Sequence, residues 1–459
     1  ADSRYNVIRW FIKPNAGYAV GPSRANPWTG ELYDADIRVS ADFIRFFSTE
    51  YNEYIEPLIE NFQAHDKTCS YSKTKQNQIK QGWIQLNQNP NTTQEEKEQY
   101  IYDGIVDLLL HETGHTLGLR HNFKGSTYYS PSNLAESEFT ATHGITGSVM
   151  DYNSINPHFI SSPLRYDLKP KPFQTTPGIY DIWAIEYGYG QPNPNESESA
   201  YLEKILQKSS EHPYCTDEDA KGNSMKGADP YCLKRDLSSD ALEIAQQNIR
   251  LVKTLWSNIP TLENHKRYPE LTDIFFNGLH EYRNAINIIT RFVGGTTINR
   301  NHINNTPPLK PLSASKQRIA LKLLQETVLN PNEFNFEPTL INLLAKERRS
   351  NLQNSVWKEK HIIHEIHPLV ESLQKQTLSR LFSPYTLNRI LDNELRTTSK
   401  APFTLPELFT TITDTLFNPL HENPNNFHKV TQQLLITQMK TIINHKREKN
   451  NTPMPYEAK

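Results

Sequence analysis

The part of this chain that most limits what it can fold into is one well-marked helix that ends in a cluster of histidines. Thr93 and Glu96 stand at the spacing of a capping box. Glu95, Glu96 and Glu98 fall in or near the first turn, where the helix dipole favours acids. Tyr100, Ile101, Ile105, Leu108 and Leu109 recur at helical spacing and form one apolar face. The helix is predicted to run to about Leu117 and to stop at Gly118, because glycine tolerates the left-handed backbone of a sharp exit. Its last turns and the residues beyond them, 111–121, read His-Glu-Thr-Gly-His-Thr-Leu-Gly-Leu-Arg-His.

That spacing carries chemistry. His111 and His115 are four apart, so they project from one face, one turn apart. Two imidazoles so placed can share one Zn2+. Glu112 lies roughly 100° round the helix, within reach of a water activated by the metal without being a ligand itself. A turn at Gly118 can bring His121 back to the same ion. Three neutral histidines leave a fourth position for water, as a catalytic zinc requires, whereas structural zinc sites are closed. The competing reading is a surface helix that happens to be rich in histidine.

The sequence HETGHTLGLRH resembles the extended zinc-binding motif of the metzincin metalloproteases. Downstream, Ser148-Val149-Met150-Asp151-Tyr152 matches that family's Met-turn, and the resemblance places Met150 beneath the zinc site. It also implies that Tyr152 binds zinc or supports the tetrahedral intermediate; the alternative is a packed, hydrogen-bonded tyrosine. YDIWAIEYGYG is similar to the final helix of metzincin catalytic domains, which would make Asp181 a support of the Met-turn. GYAVGPSRANPWTGELYDADIRVS resembles the loop and edge strand that border the cleft, an edge to which an extended peptide can add. Together with RYNVIRW and VGGTTINRNH, these stretches resemble the bacterial zinc-dependent metalloproteases termed Met-zincin, over most of residues 1–345.

The resemblance implies an α+β fold. A metzincin-like catalytic core, with a small mixed sheet, an active-site helix and a Met-turn, would be followed by a mainly α-helical C-terminal region. We expect the core over 1–190, a loop-rich joint over 191–236 and the helical region over 237–459. Family members are typically large and exported, with an extra N-terminal region. Their catalytic domains open with a strand, a long helix and a second strand ahead of anything like YNVIRWF. An upstream segment of the same precursor is therefore an expected partner, beside a protein or peptide substrate.

Local patterns fill in the remainder. Residues 5–12 read as a buried strand, 33–39 as a half-exposed strand, 41–64 as helical, and 65–92 as a polar, irregular insertion. From Asp236 onward the pattern is helical, with breaks at 293–315 and near 331, 384 and 402. Cys215 and Cys232 flank a polar stretch and could close a disulfide in an oxidising compartment, or remain two thiols; Cys69 stands apart. Asp217, Glu218 and Asp219, with Asp229 and Asp236 beyond, offer oxygen ligands suited to Ca2+, though a solvated acidic loop is the simpler reading.

Composition sets outer bounds. The 49 basic and 51 acidic residues leave a net charge of −2, which argues against a nucleic-acid partner. No apolar run is long enough to span a membrane. The expected activity is zinc-dependent endopeptidase hydrolysis with Glu112 as general base. The competing function is a non-catalytic binding or scaffold protein on a metzincin fold.

Overall fold

The computed structural model describes residues 4–12, 19–41, 71–220, 227–262, 268–301, 307–345, 363–418, 424–444 and 452–458. The helix expected over 41–64 falls largely outside these residues, as does Cys69. The chain divides into two compact units, 1–220 with 231–251 and 299–308, and 221–230 with 252–298 and 309–459.

The first unit opens on a small mixed sheet of β1 (Val7–Phe11), β2 (Ala19–Val20), β3 (Ser23–Ala25) and β4 (Leu32–Ser40). β4 takes β1 in parallel on one side, and β2 and β3 antiparallel on the other. This corrects the expectation of β4 as a free edge: within the described sheet it is the central strand, and any peptide added by strand pairing has to join elsewhere. β1 differs from expectation as well. The strand forms, but Ile8 and Trp10 are 55% and 45% exposed and Ile12 just beyond it is 82% exposed. Its nearly continuous apolar run signals a strand correctly, but not what covers the face. On β4, by contrast, Ile37 and Val39 are buried, and β2 and β4 lie against the helix that carries the histidines.

Two helices follow, α1 (Tyr71–Gln88) and α2 (Gln94–Thr116). α1 overturns the expectation of an irregular insertion over 65–92. Its apolar side is thin, with Ile79, Ile84 and Leu86 buried and Trp83 partly so, among glutamine, asparagine and lysine. Composition alone hides such a helix, and packing against α2 completes it. The Tyr100 hydroxyl on α2 donates to the Ile79 carbonyl at 2.7 Å. Tyr100 also packs on Phe159 and Phe173, with ring centroids 5.6 and 4.9 Å away. α2 begins as read from sequence: the Thr93 hydroxyl accepts from the Glu96 N–H, and the Glu96 carboxylate accepts from the Thr93 N–H.

Short helical turns at Pro131–Ala135, Ser137–His143 and Pro157–Ser161 lead to α3 (Ile179–Tyr189) and α4 (Glu198–Leu206). The longer helices that remain are α5 (Ala241–Asn258), α6 (Tyr268–Phe292), α7 (Ala314–Glu326), α8 (Ile366–Leu381), α9 (Pro384–Arg396), α10 (Leu405–Phe417) and α11 (Asn426–Ile443), with the hairpin β5 (Thr296–Ile298) and β6 (Leu309–Pro311) after α6. In the second unit α6 is the core element, burying Leu271, Phe275, Tyr282, Ile286 and Ile289 at helical spacing. The hairpin occupies the break expected at 293–315. The α+β class and the helical C-terminal region are as expected. Among the described residues no helix is long and apolar enough to cross a membrane.

Tyr100 joins α1, α2 and the aromatic cluster, so it is a sensitive point. We predict that Tyr100→Phe lowers the unfolding free energy by about 1 kcal/mol through the lost hydrogen bond. Tyr100→Ala should cost about 3–5 kcal/mol through the cavity it leaves. Chemical denaturation of the two variants checks both figures.

Candidate metal centre

The end of α2 sets the first two histidines. Leu117 caps the helix, its N–H bonding back to Thr113 and His115. Gly118 then takes φ +84°, and the Leu119 N–H returns to the Gly114 carbonyl at 3.0 Å. An L-residue at 118 would be strained there. The reversal brings His121 to His111 and His115, and one nitrogen from each ring lies within 4.8 Å of the other two. This is the one group among the described residues arranged to hold a metal ion.

Each ring is oriented by an oxygen acceptor at Nδ1. His111 Nδ1 meets the Val149 carbonyl at 2.7 Å, His115 Nδ1 the Leu119 carbonyl at 3.1 Å, and His121 Nδ1 the Asp217 carboxylate at 2.7 Å. An acceptor at Nδ1 calls for a hydrogen there, which leaves the lone pair at Nε2, the tautomer a metal ligand needs. Burial, followed by the neighbouring His121, lowers the pKa of His115 to about 4, so this ring is neutral at physiological pH. Glu112 is fully buried, and desolvation raises its carboxyl to about 7.

The floor of the site is the turn at 147–152. Met150 is fully buried, with its sulfur against Gly114. A Cβ at position 114 would overlap that sulfur, so the glycine inside the histidine motif is what lets the turn come this close. Asp181 on α3 holds the turn, accepting from the Ser148 hydroxyl at 2.7 Å and from the Val149 and Gly178 N–H groups at 2.8 and 2.7 Å. The segment after His121 runs beside the same turn, with the Asn122 N–H on the Met150 carbonyl at 3.0 Å and the Gly147 N–H on the Gly125 carbonyl at 2.9 Å. Tyr152 is buried with its ring 4.7 Å from that of His121 and 5.4 Å from that of His111. Lys234 lies over the Tyr152 and Phe123 rings, 4.8 and 4.7 Å from their centroids.

Further buried groups surround the turn. Asp151 and Asp236 are both buried and share Ser126, whose N–H donates to Asp151 at 2.6 Å and whose hydroxyl donates to Asp236 at 3.0 Å. Burial and then the Asp236 charge push the Asp151 pKa well above the carboxylate range. Cys215 and Cys232 are joined in a disulfide. The acids weighed as calcium ligands go to separate partners: Asp217 to His121, Glu218 to Arg120, Asp219 to Arg300, Asp229 to the Ile298 N–H and Asp236 to Ser126. Among the described residues they form no group able to hold a metal, so calcium has no support.

A family model described as Met-zincin matches residues 93–424. No curated protein and no solved structure matches the chain.

Two buried acids, Asp181 against the turn and Asp151 within it, give opposite expectations. Asp181→Ala removes an acceptor of three hydrogen bonds and should destabilise the fold by about 3 kcal/mol or more. Asp151 has a raised pKa, so the stability it contributes is fully present below the ordinary carboxylate pKa and is lost as pH rises through its folded value. Asp151→Asn should therefore raise the thermal midpoint at pH 8 and change it little at pH 4. Thermal unfolding at the two pH values measures both effects.

Proposed function

Because the chain belongs to the Met-zincin family, we propose that it is a zinc-dependent endopeptidase in which His111, His115 and His121 hold the metal and Glu112 moves the proton. The observation that carries this reading is the triangle of ligand nitrogens within 4.8 Å, with a fully buried glutamate one residue along the same helix. Three imidazole nitrogens are a donor set that suits zinc and gives a hard, oxygen-seeking ion little reason to bind. When bound, zinc supplies Lewis acidity, which makes water more acidic and polarises the scissile carbonyl.

The protein residues do the rest. Glu112 takes a proton from the water that adds to the carbonyl carbon, then delivers it to the amide nitrogen as the C–N bond breaks. A carboxyl raised to about 7 by burial is suited to both halves of that task, since it neither holds nor refuses the proton strongly. The Tyr152 phenol, packed against His111 and His121, donates to the developing oxyanion. Met150 and Asp181 take no part in proton transfer. They fix the floor on which His111 is oriented through the Val149 carbonyl. The substrate is a protein or peptide chain. The Cys215–Cys232 bridge favours an exported protein working in an oxidising compartment.

The zinc-loaded protein is expected to cleave an unfolded protein such as denatured casein, to stop when a chelator is added, and to recover with added zinc. Glu112→Gln should retain the metal and lose about 10²–10⁴-fold in kcat/KM. Near-normal turnover by fully loaded Glu112→Gln protein overturns the assignment. A metal-loaded wild-type chain that cleaves nothing points instead to a binding role for the same fold.

A further inference from the structure

We propose that Asp217, which lies outside the histidine motif, is a positioning residue for His121, fixing that imidazole's tautomer and orientation for metal binding. The inference rests on the reading of His111, His115 and His121 as the metal ligands.

The three histidines are not held alike. His111 and His115 stand on a regular helix and turn Nδ1 to backbone carbonyls. His121 comes after the Gly118 reversal, where no helix fixes its backbone. Its Nδ1 meets a carboxylate 96 residues downstream, with Asp217 Oδ2 at 2.7 Å. A carbonyl orients a ring. A carboxylate orients it and also makes Nε2 a stronger donor to a cation.

The position of that carboxylate is built from several sides. The Phe123 N–H donates to the Cys215 carbonyl at 2.9 Å. Asn122 bridges the same two segments, its Nδ2 on the Pro213 carbonyl at 3.1 Å and its Oδ1 receiving the Cys215 N–H at 3.2 Å. The disulfide to Cys232 fixes Cys215 two residues before Asp217. On the short helical turn Asp217–Ala220, Glu218 accepts from Arg120 at 2.6 Å and Asp219 from Arg300 at 3.0 Å. The second oxygen of Asp217 takes Lys234 Nζ at 3.4 Å, so both of its oxygens are directed. A solvated acidic loop needs none of this bracing.

The test is zinc affinity, measured on the whole chain by competition with a chromophoric chelator. Asp217→Ala should weaken binding by about 10–100-fold, and Asp217→Asn by less, because the amide oxygen still accepts from Nδ1. Asp167→Ala breaks an exposed ion pair with Arg165 that takes no part in these contacts, and should leave affinity within about threefold of wild type. The cobalt-substituted protein supplies a readout that a general loss of stability does not move: the visible bands of Asp217→Ala should shift, while the unfolding midpoint of the metal-free protein stays near that of wild type. Asp217 is half-exposed, so its replacement is compatible with folding. Unchanged zinc affinity in Asp217→Ala, or equal weakening by Asp167→Ala, overturns this inference alone. A wild-type chain that takes up no zinc overturns the metal-centre reading, and this inference with it.

Discussion

The carboxylate of Asp181 is buried and accepts three hydrogen bonds, from the Ser148 hydroxyl and from the backbone N–H groups of Val149 and Gly178. Burial pushes its pKa up, and those three donors work against the shift. A buried carboxylate is costly unless donors surround it, so the turn is held to the one shape that supplies them. With the Val149 N–H committed to Asp181, its carbonyl is turned to His111. Met150 follows beneath Gly114, and its own carbonyl receives the Asn122 N–H from the chain just past His121. One buried charge thus governs the first histidine directly and the approach to the third at one remove.

The rest of the centre follows from how little of it is helix. α2 supplies two rings and a glutamate through its own periodicity. Everything that decides their use comes from irregular backbone: the reversal at Gly118, the turn at 147–152 and the segment around Cys215. Irregular backbone leaves donors and acceptors to be satisfied one by one, and here side chains do much of that work. The Gln174 amide oxygen accepts the N–H groups of Ile145 and Thr146 at 2.6 and 2.9 Å on the approach to the turn. The hydroxyl of Tyr189, at the end of α3, donates to the Leu117 carbonyl at 2.8 Å where α2 ends.

The legible parts of the sequence were those where one local rule decides the outcome. The capping box at Thr93 and Glu96, the positive φ at Gly118 and the pairing of His111 with His115 are settled within a few residues. α1 was not legible, because its buried side is thin and its helicity depends on Tyr100 from the next element. The exposure of β1 is not legible, because an apolar run marks a strand without saying what lies across from it. The centrality of β4 depends on pairing partners from both directions along the chain. Asp217 stands in an acidic run that spacing alone reads most simply as a solvated loop, with calcium as the alternative. Its use depends on a contact with His121 that no local pattern announces.

The sequence distances within the centre bear on the order in which it can assemble. His111 and His115 come into register as soon as α2 forms, because their separation is local. The bond that orients His111 closes a loop of 38 residues, the one that shapes the turn closes 32, and the one that orients His121 closes 96. Loop closure is entropically slow and comes after local structure. A chain in which α2 has formed therefore presents two histidines in register, and gains the oriented third ring when its most distant contacts have closed. Under the proposed assignment, tight metal capture waits on that long-range closure.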